Sequence, residues 1–206
     1  MKRYILLLLL IVATCGCSIV RIDTSDIDNI LNVILTKDNK LYNQVGQGYK
    51  YYLPGGVTYI DSDEANDILY CNGNYYYLYV DSISYYYNID MNYTENKNMF
   101  YSKKILKNSS FKHSGYLQID KKDDLYYIDF VYNFAKIEAI VDENDLNDTI
   151  LNASYILSTI RYNKNIVNVM MEDDYFTNKT GKFNDYNTKS NSEKFILHKD
   201  EMTKEG

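Results

Sequence analysis

Between residues 49 and 141 apolar side chains recur at every second position in several runs separated by polar segments. This period of two constrains the fold more than any other feature. Successive side chains then point to opposite faces, so the segment has to build a sheet. Tyr49, Tyr51 and Leu53 alternate with Lys50 and Tyr52 ahead of Pro54, the one proline, and Gly55-Gly56. Residues 57–60 read as a second strand. Residues 68–71 and 75–87 flank Asn72-Gly73, a pair that accepts the positive φ values of a two-residue hairpin. Residues 99–106, 115–120 and 125–141 add strands joined through 109–114 and 121–124. Consecutive strands with short connections predict an antiparallel meander.

Two helices bracket this region. Ile27, Ile30, Leu31, Ile34 and Leu35 recur at helical spacing, with Thr24 or Ser25 placed to cap them. Leu146, Thr149, Ile150, Ala153, Ile156, Leu157 and Ile160 form one apolar stripe behind Asp145, read as the cap, with Asp148 in the first turn. Residues 161–163 read as extended and 166–171 as a helical turn or two. The expectation is an α+β domain: an antiparallel sheet of five to seven strands with one N-terminal and one C-terminal packing helix. In order of elements alone it resembles the PsbP-like fold, which opens on an aromatic strand ending in Pro-Gly and closes on a helix before a short strand. Residues 49–57 and 146–162 match those pieces. The likeness implies binding roles rather than one chemistry. The detached first helix and the absence of tryptophan depart from that pattern.

Ahead of the domain, Lys2 and Arg3 precede Ile5, five leucines, Ile11, Val12 and Ala13. A short cationic stretch before an apolar run of this size is a secretory signal, and the run is at the lower limit of what crosses a bilayer. It ends in Ala13-Thr14-Cys15-Gly16-Cys17 and there resembles the lipobox of bacterial lipoproteins, whose cysteine is diacylated and becomes the new N-terminus. Gly16 suits cleavage before Cys17; the alternative frame, with Thr14 before Cys15, places a β-branched residue at that point. The resemblance implies a membrane partner held through a diacylglycerol anchor on the extracytoplasmic face. The predicted organisation is a signal peptide over 1–16, a tether over 17–25, the α+β domain over 26–176 and a polar, mobile tail over 177–206.

Lys2 and Arg3 are the only charges before Cys17, so processing takes the formal charge from −6 to −8. That sign disfavours nucleic acid and anionic headgroups as partners. Cys71 is the only cysteine in the body of the chain, which leaves no intrachain disulfide after processing.

Catalytic residue types are scarce. His113, in a predicted surface turn, and His198, in the tail, lack paired ligands, so no metal site or histidine-based catalysis is expected. Gly46-Gln47-Gly48 and Gly55-Gly56 lack the spacing of a phosphate loop and read as turns. No cofactor is expected. Asp61, Asp63 and Glu64 are the candidate acid–base groups; Asn66 stands where a calcium loop needs glycine, and a solvated loop is the competing reading. Residues 142–145 read as helix capping and dipole complement.

Tyrosine is the unusual residue: 24 in all, twelve of them between positions 49 and 87. Alternation puts Tyr75, Tyr77 and Tyr79 on one face and Tyr76, Leu78 and Val80 on the other. If exposed, the tyrosine ladder is a candidate surface for a protein or peptide partner. The competing account is that β propensity and codon bias fill both faces. The sequence reading is thus a membrane-anchored, non-enzymatic binding or accessory domain. Its alternatives are a carboxylate-dependent hydrolase of envelope polymers and a structural component of the envelope.

Overall fold

The computed structural model describes residues 22–63, 66–89, 91–107 and 113–172. Residues 1–21, which hold the signal segment with Cys15 and Cys17, lie outside that description, as do Glu64, His198 and the tail from residue 173.

Helix α1 (Ile27–Leu35) begins where Asp26 caps it: the Asp26 carboxylate accepts from the amide N of Asp28 at 3.0 Å. The cap is therefore one residue beyond the expected Thr24 or Ser25, because Asp26 directly precedes the first helical residue and keeps extended dihedrals. Its buried stripe is Ile30, Leu31, Ile34 and Leu35, as the spacing predicts.

The strands follow as β1 (Gln44–Val45), β2 (Tyr49–Tyr51), β3 (Thr58–Asp63), β4 (Asn66–Cys71), β5 (Asn74–Val80), β6 (Tyr101–Ile105), β7 (Gly115–Lys122), β8 (Leu125–Tyr132), β9 (Ala135–Val141) and β10 (Arg161–Tyr162). Helix α2 (Ser82–Tyr87) links β5 to the β6 arm; α3 (Leu146–Thr159) and α4 (Lys164–Glu172) flank β10. A seven-stranded antiparallel sheet runs β3-β4-β5-β9-β8-β7-β6, and a three-stranded sheet runs β1-β2-β10. The α+β expectation holds, with two corrections to the meander. It is two meanders, β3 to β5 and β6 to β9, joined where β5 lies beside β9. The strand that starts at Tyr49 belongs to the small sheet, paired with β10 rather than with its successor.

Local chemistry accounts for the remaining differences. Residues 75–87 are not one strand: Asp81 accepts from the amide of Ser84 at 2.8 Å, opening α2, and Asn88 closes it in the left-handed region. Residues 125–141 are two strands, split by Asn133 and Phe134, both at positive φ. That turn has no glycine to announce it; it is held from outside by the Tyr162 hydroxyl, which donates to the carbonyls of both residues. Residues 61–63 lie in β3, not in a loop. The helix expected over 166–171 extends over Lys164–Glu172.

Helix α3 has the predicted stripe, but Asp145 is not its side-chain cap; its carboxylate accepts from Asn74 Nδ2 at 2.7 Å, tying the helix start to the β4–β5 hairpin. Asp142 supplies the local turn instead, accepting from the amides of Asn144 and Asp145. The core lies between one sheet face and the helix layer. Leu69, Tyr76, Leu78, Phe130 and Ile137 meet Ile150, Ala153 and Leu157 of α3, against which α1 packs. Burying each large aliphatic side chain contributes about 1.5–3 kcal/mol. Asp67, also on this face, accepts from the hydroxyls of Tyr51 at 2.7 Å and Tyr49 at 3.3 Å, which fixes the small sheet to the large one. Cys71 is free and buried. His113 is half-buried rather than on the surface, with its ring edge-on to Tyr132. Among the described residues no helix is long and apolar enough to cross a membrane.

Candidate binding face

The face of the large sheet opposite α3 carries the side chains that the core does not use. Strand register lines them up in ladders. In the central one Ile68, Tyr77, Glu138, Asp129, Gln118 and Ser102 stand opposite one another in turn. Beside it run Asn66, Tyr79, Lys136, Val131 and Tyr116.

The middle of this face is charged and buried. Lys136 and Glu138 are 3% and 5% exposed and form an ion pair at 2.5 Å. Asp129 faces Glu138 across the strand pair, a position in which side chains interact directly. Tyr116 donates to Asp129 Oδ2 at 3.0 Å, but among the described residues no group donates to Asp129 Oδ1 or Glu138 Oε2. Burial pushes the Asp129 carboxyl up to about 6; Lys136 opposes that shift and Glu138 adds to it. One ammonium thus serves two carboxyls, that of buried Glu138 and that of half-buried Asp129.

Aromatic rings border the cluster on both sides. The Lys136 ammonium lies 4.9 Å from the Tyr79 ring centre, a cation–π contact. Tyr75, Tyr77 and Tyr79 share the face and are half-buried. Tyr75 packs on Tyr70 at 5.2 Å, and burial raises the Tyr77 phenol above its ordinary value. At the β6–β7 end, Tyr93 returns from the segment after α2 and stacks on Tyr116, centroids 4.0 Å apart and planes within 4°. Its hydroxyl shares a 2.6 Å bond with Ser102 and donates to Gln118 at 3.1 Å. The result is a charged floor between two aromatic banks.

The candidate catalytic carboxylates are placed elsewhere. Asp61 stands at the edge of the central ladder, opposite Ile68, exposed, and accepts from the amide of Ser62 at 2.8 Å. Asp63 sits in β3 opposite Asn66. The register brings no carboxylate opposite Asp61 or Asp63. Sequence reasoning located the tyrosine ladder but missed Asp129, Lys136 and Glu138. Their signal is a charge at alternate positions within apolar strands: Asp129 between Ile128 and Phe130, and Lys136 and Glu138 around Ile137. Such a pattern puts the charges together on the face away from the core.

Comparison of the chain with protein-family models, with curated proteins and with solved structures finds no match.

Proposed function

We propose that this chain is a membrane-anchored extracytoplasmic lipoprotein whose domain is a non-enzymatic binding module, and that it binds through the outer face of the large sheet. The observation that carries the reading is the Asp129–Lys136–Glu138 floor with its tyrosine banks. Buried carboxyl oxygens without donors are costly, and aromatic side chains offer contact area at low conformational cost. The half-buried tyrosine rings are what this face offers to a partner, and ring faces favour a cation. The hydrolase alternative draws no support from Asp61, which is solvated at a sheet edge. Glu138 is held in an ion pair with Lys136.

The test is partner capture from native membranes by the full chain. Tyr77→Ser with Tyr79→Ser is expected to lose a specific partner that the Asp61→Ala chain retains, with all three chains equally folded by circular dichroism. Capture unchanged by the tyrosine substitutions would move the binding surface off this face.

A further inference from the structure

A cavity of about 410 Å³ lies between β2, β10 and the start of α4, away from the face described above. Three of its lining residues are cationic, Lys50, Arg161 and Lys164, and none is acidic. That lining is unexpected in a chain with 28 acidic and 22 basic residues.

The cations are also placed in mutual opposition. Lys50 and Arg161 are direct partners across the β2–β10 pair, where like charges repel and destabilise a sheet. Asp38 relieves Arg161, accepting from its Nη2 at 2.6 Å, and the carbonyls of Ser158, Asn39 and Ile160 take further guanidinium donors. Arg161 is thereby anchored to the protein. Lys50 and Lys164 have no carboxylate partner among the described residues; the Lys50 ammonium rests over the Tyr42 ring at 3.7 Å. The first amides of α4 do not explain the charge either, because Asn163 Oδ1 already accepts from the amides of Asn165 and Ile166.

We propose that this cavity is a binding site for a small, doubly charged phosphate group, free or carried on a small ester. Lys50 and Lys164 both line the cavity, and lysine ammoniums are point charges that suit a tetrahedral oxyanion. Planar carboxylates are recognised best by a free guanidinium fork, and the fork of Arg161 is engaged. The volume lies at the small end of ligand sites.

Thermal unfolding of the detergent-solubilised full chain, with ionic strength held constant by sodium chloride, tests this. Inorganic phosphate and glycerol phosphate are expected to raise the midpoint saturably. Lys50→Gln with Lys164→Gln should weaken that response at least tenfold while leaving the midpoint without phosphate unchanged or higher. If the double variant does not fold, Lys164→Gln alone, at an exposed position, should weaken it at least threefold. A response equalled by chloride, or one undiminished in the variants, overturns the site. A response to the ester but not to inorganic phosphate assigns the cavity to phosphate esters.

Discussion

Asp129 and His113 are both half-buried, and burial moves them in opposite senses. Burial raises the Asp129 carboxyl to about 6, whereas burial and then the Arg161 charge lower the His113 imidazole to about 4. The unfolded values are about 3.9 and 6.5. For Asp129 the folded state holds its proton more tightly, so its contribution is complete below about pH 4 and is lost as pH rises through 6. For His113 the folded state favours the neutral ring, so its contribution is complete above about pH 6.5 and is lost as pH falls toward 4. The two slopes offset each other across one window. Asp129→Asn is therefore expected to make stability rise more steeply from pH 4 to 6 than in the unaltered chain, and His113→Asn to make it fall. Each difference should be on the order of 2 kcal/mol. Urea midpoints at four pH values measure both; parallel curves for all three chains would contradict the assignment. The charges themselves were readable in the sequence. Their partners were not, because register decides which residue faces which, and a single-residue slip would have sent Asp129 into the core.

Among the elements, the β7–β8 pair leaves least room. A Cβ on Gly115 would fall 1.9 Å from the carbonyl oxygen of Val131 and 2.8 Å from the Tyr132 Cα, both backbone atoms that no rotamer change can move aside. Gly115 also stands opposite both Ile105 and Tyr132, so a shift there disturbs two ladders. Gly115→Ala is expected to destabilise the domain by about 1–3 kcal/mol, the range for overpacking, read from urea denaturation; an unchanged midpoint would show that the strands separate freely. The elements that were legible carried their own local signal: the stripes of α1 and α3, and the Asn72-Gly73 hairpin with both residues at positive φ. Those that were not legible depend on distant atoms. Phe134 adopts a conformation costly for a bulky side chain because the Tyr162 hydroxyl and an edge-on Tyr85 ring hold it. Tyr85, Tyr86 and Tyr87 have strand propensity, yet the Asp81 and Asn88 caps fix them in a helix.

For the molecule as a whole, the proposed anchor and the acidic domain divide the work of attachment. If the chain is processed and lipidated as proposed, its charge of −8 would repel anionic headgroups and membrane binding would fall to the lipid. Cys17→Ser is expected to abolish incorporation of labelled palmitate and to release the domain from membranes, whereas Cys15→Ser should leave both intact; the reverse result would assign the lipid to Cys15. The strand order was the least legible property, since the junction of the two meanders joins Val80 to Ala135 and leaves no trace in local pattern. That junction has a consequence for assembly. Every other pairing in the large sheet joins consecutive strands, and hairpins of that kind close quickly, on the order of microseconds. The entropy of closing the long connection through α2 and Tyr93 falls on one pairing alone. The search for the native state is thereby concentrated at β5 and β9, the strands that also carry Tyr77, Tyr79, Lys136 and Glu138, so the face proposed for binding is completed only when that union of distant segments is made.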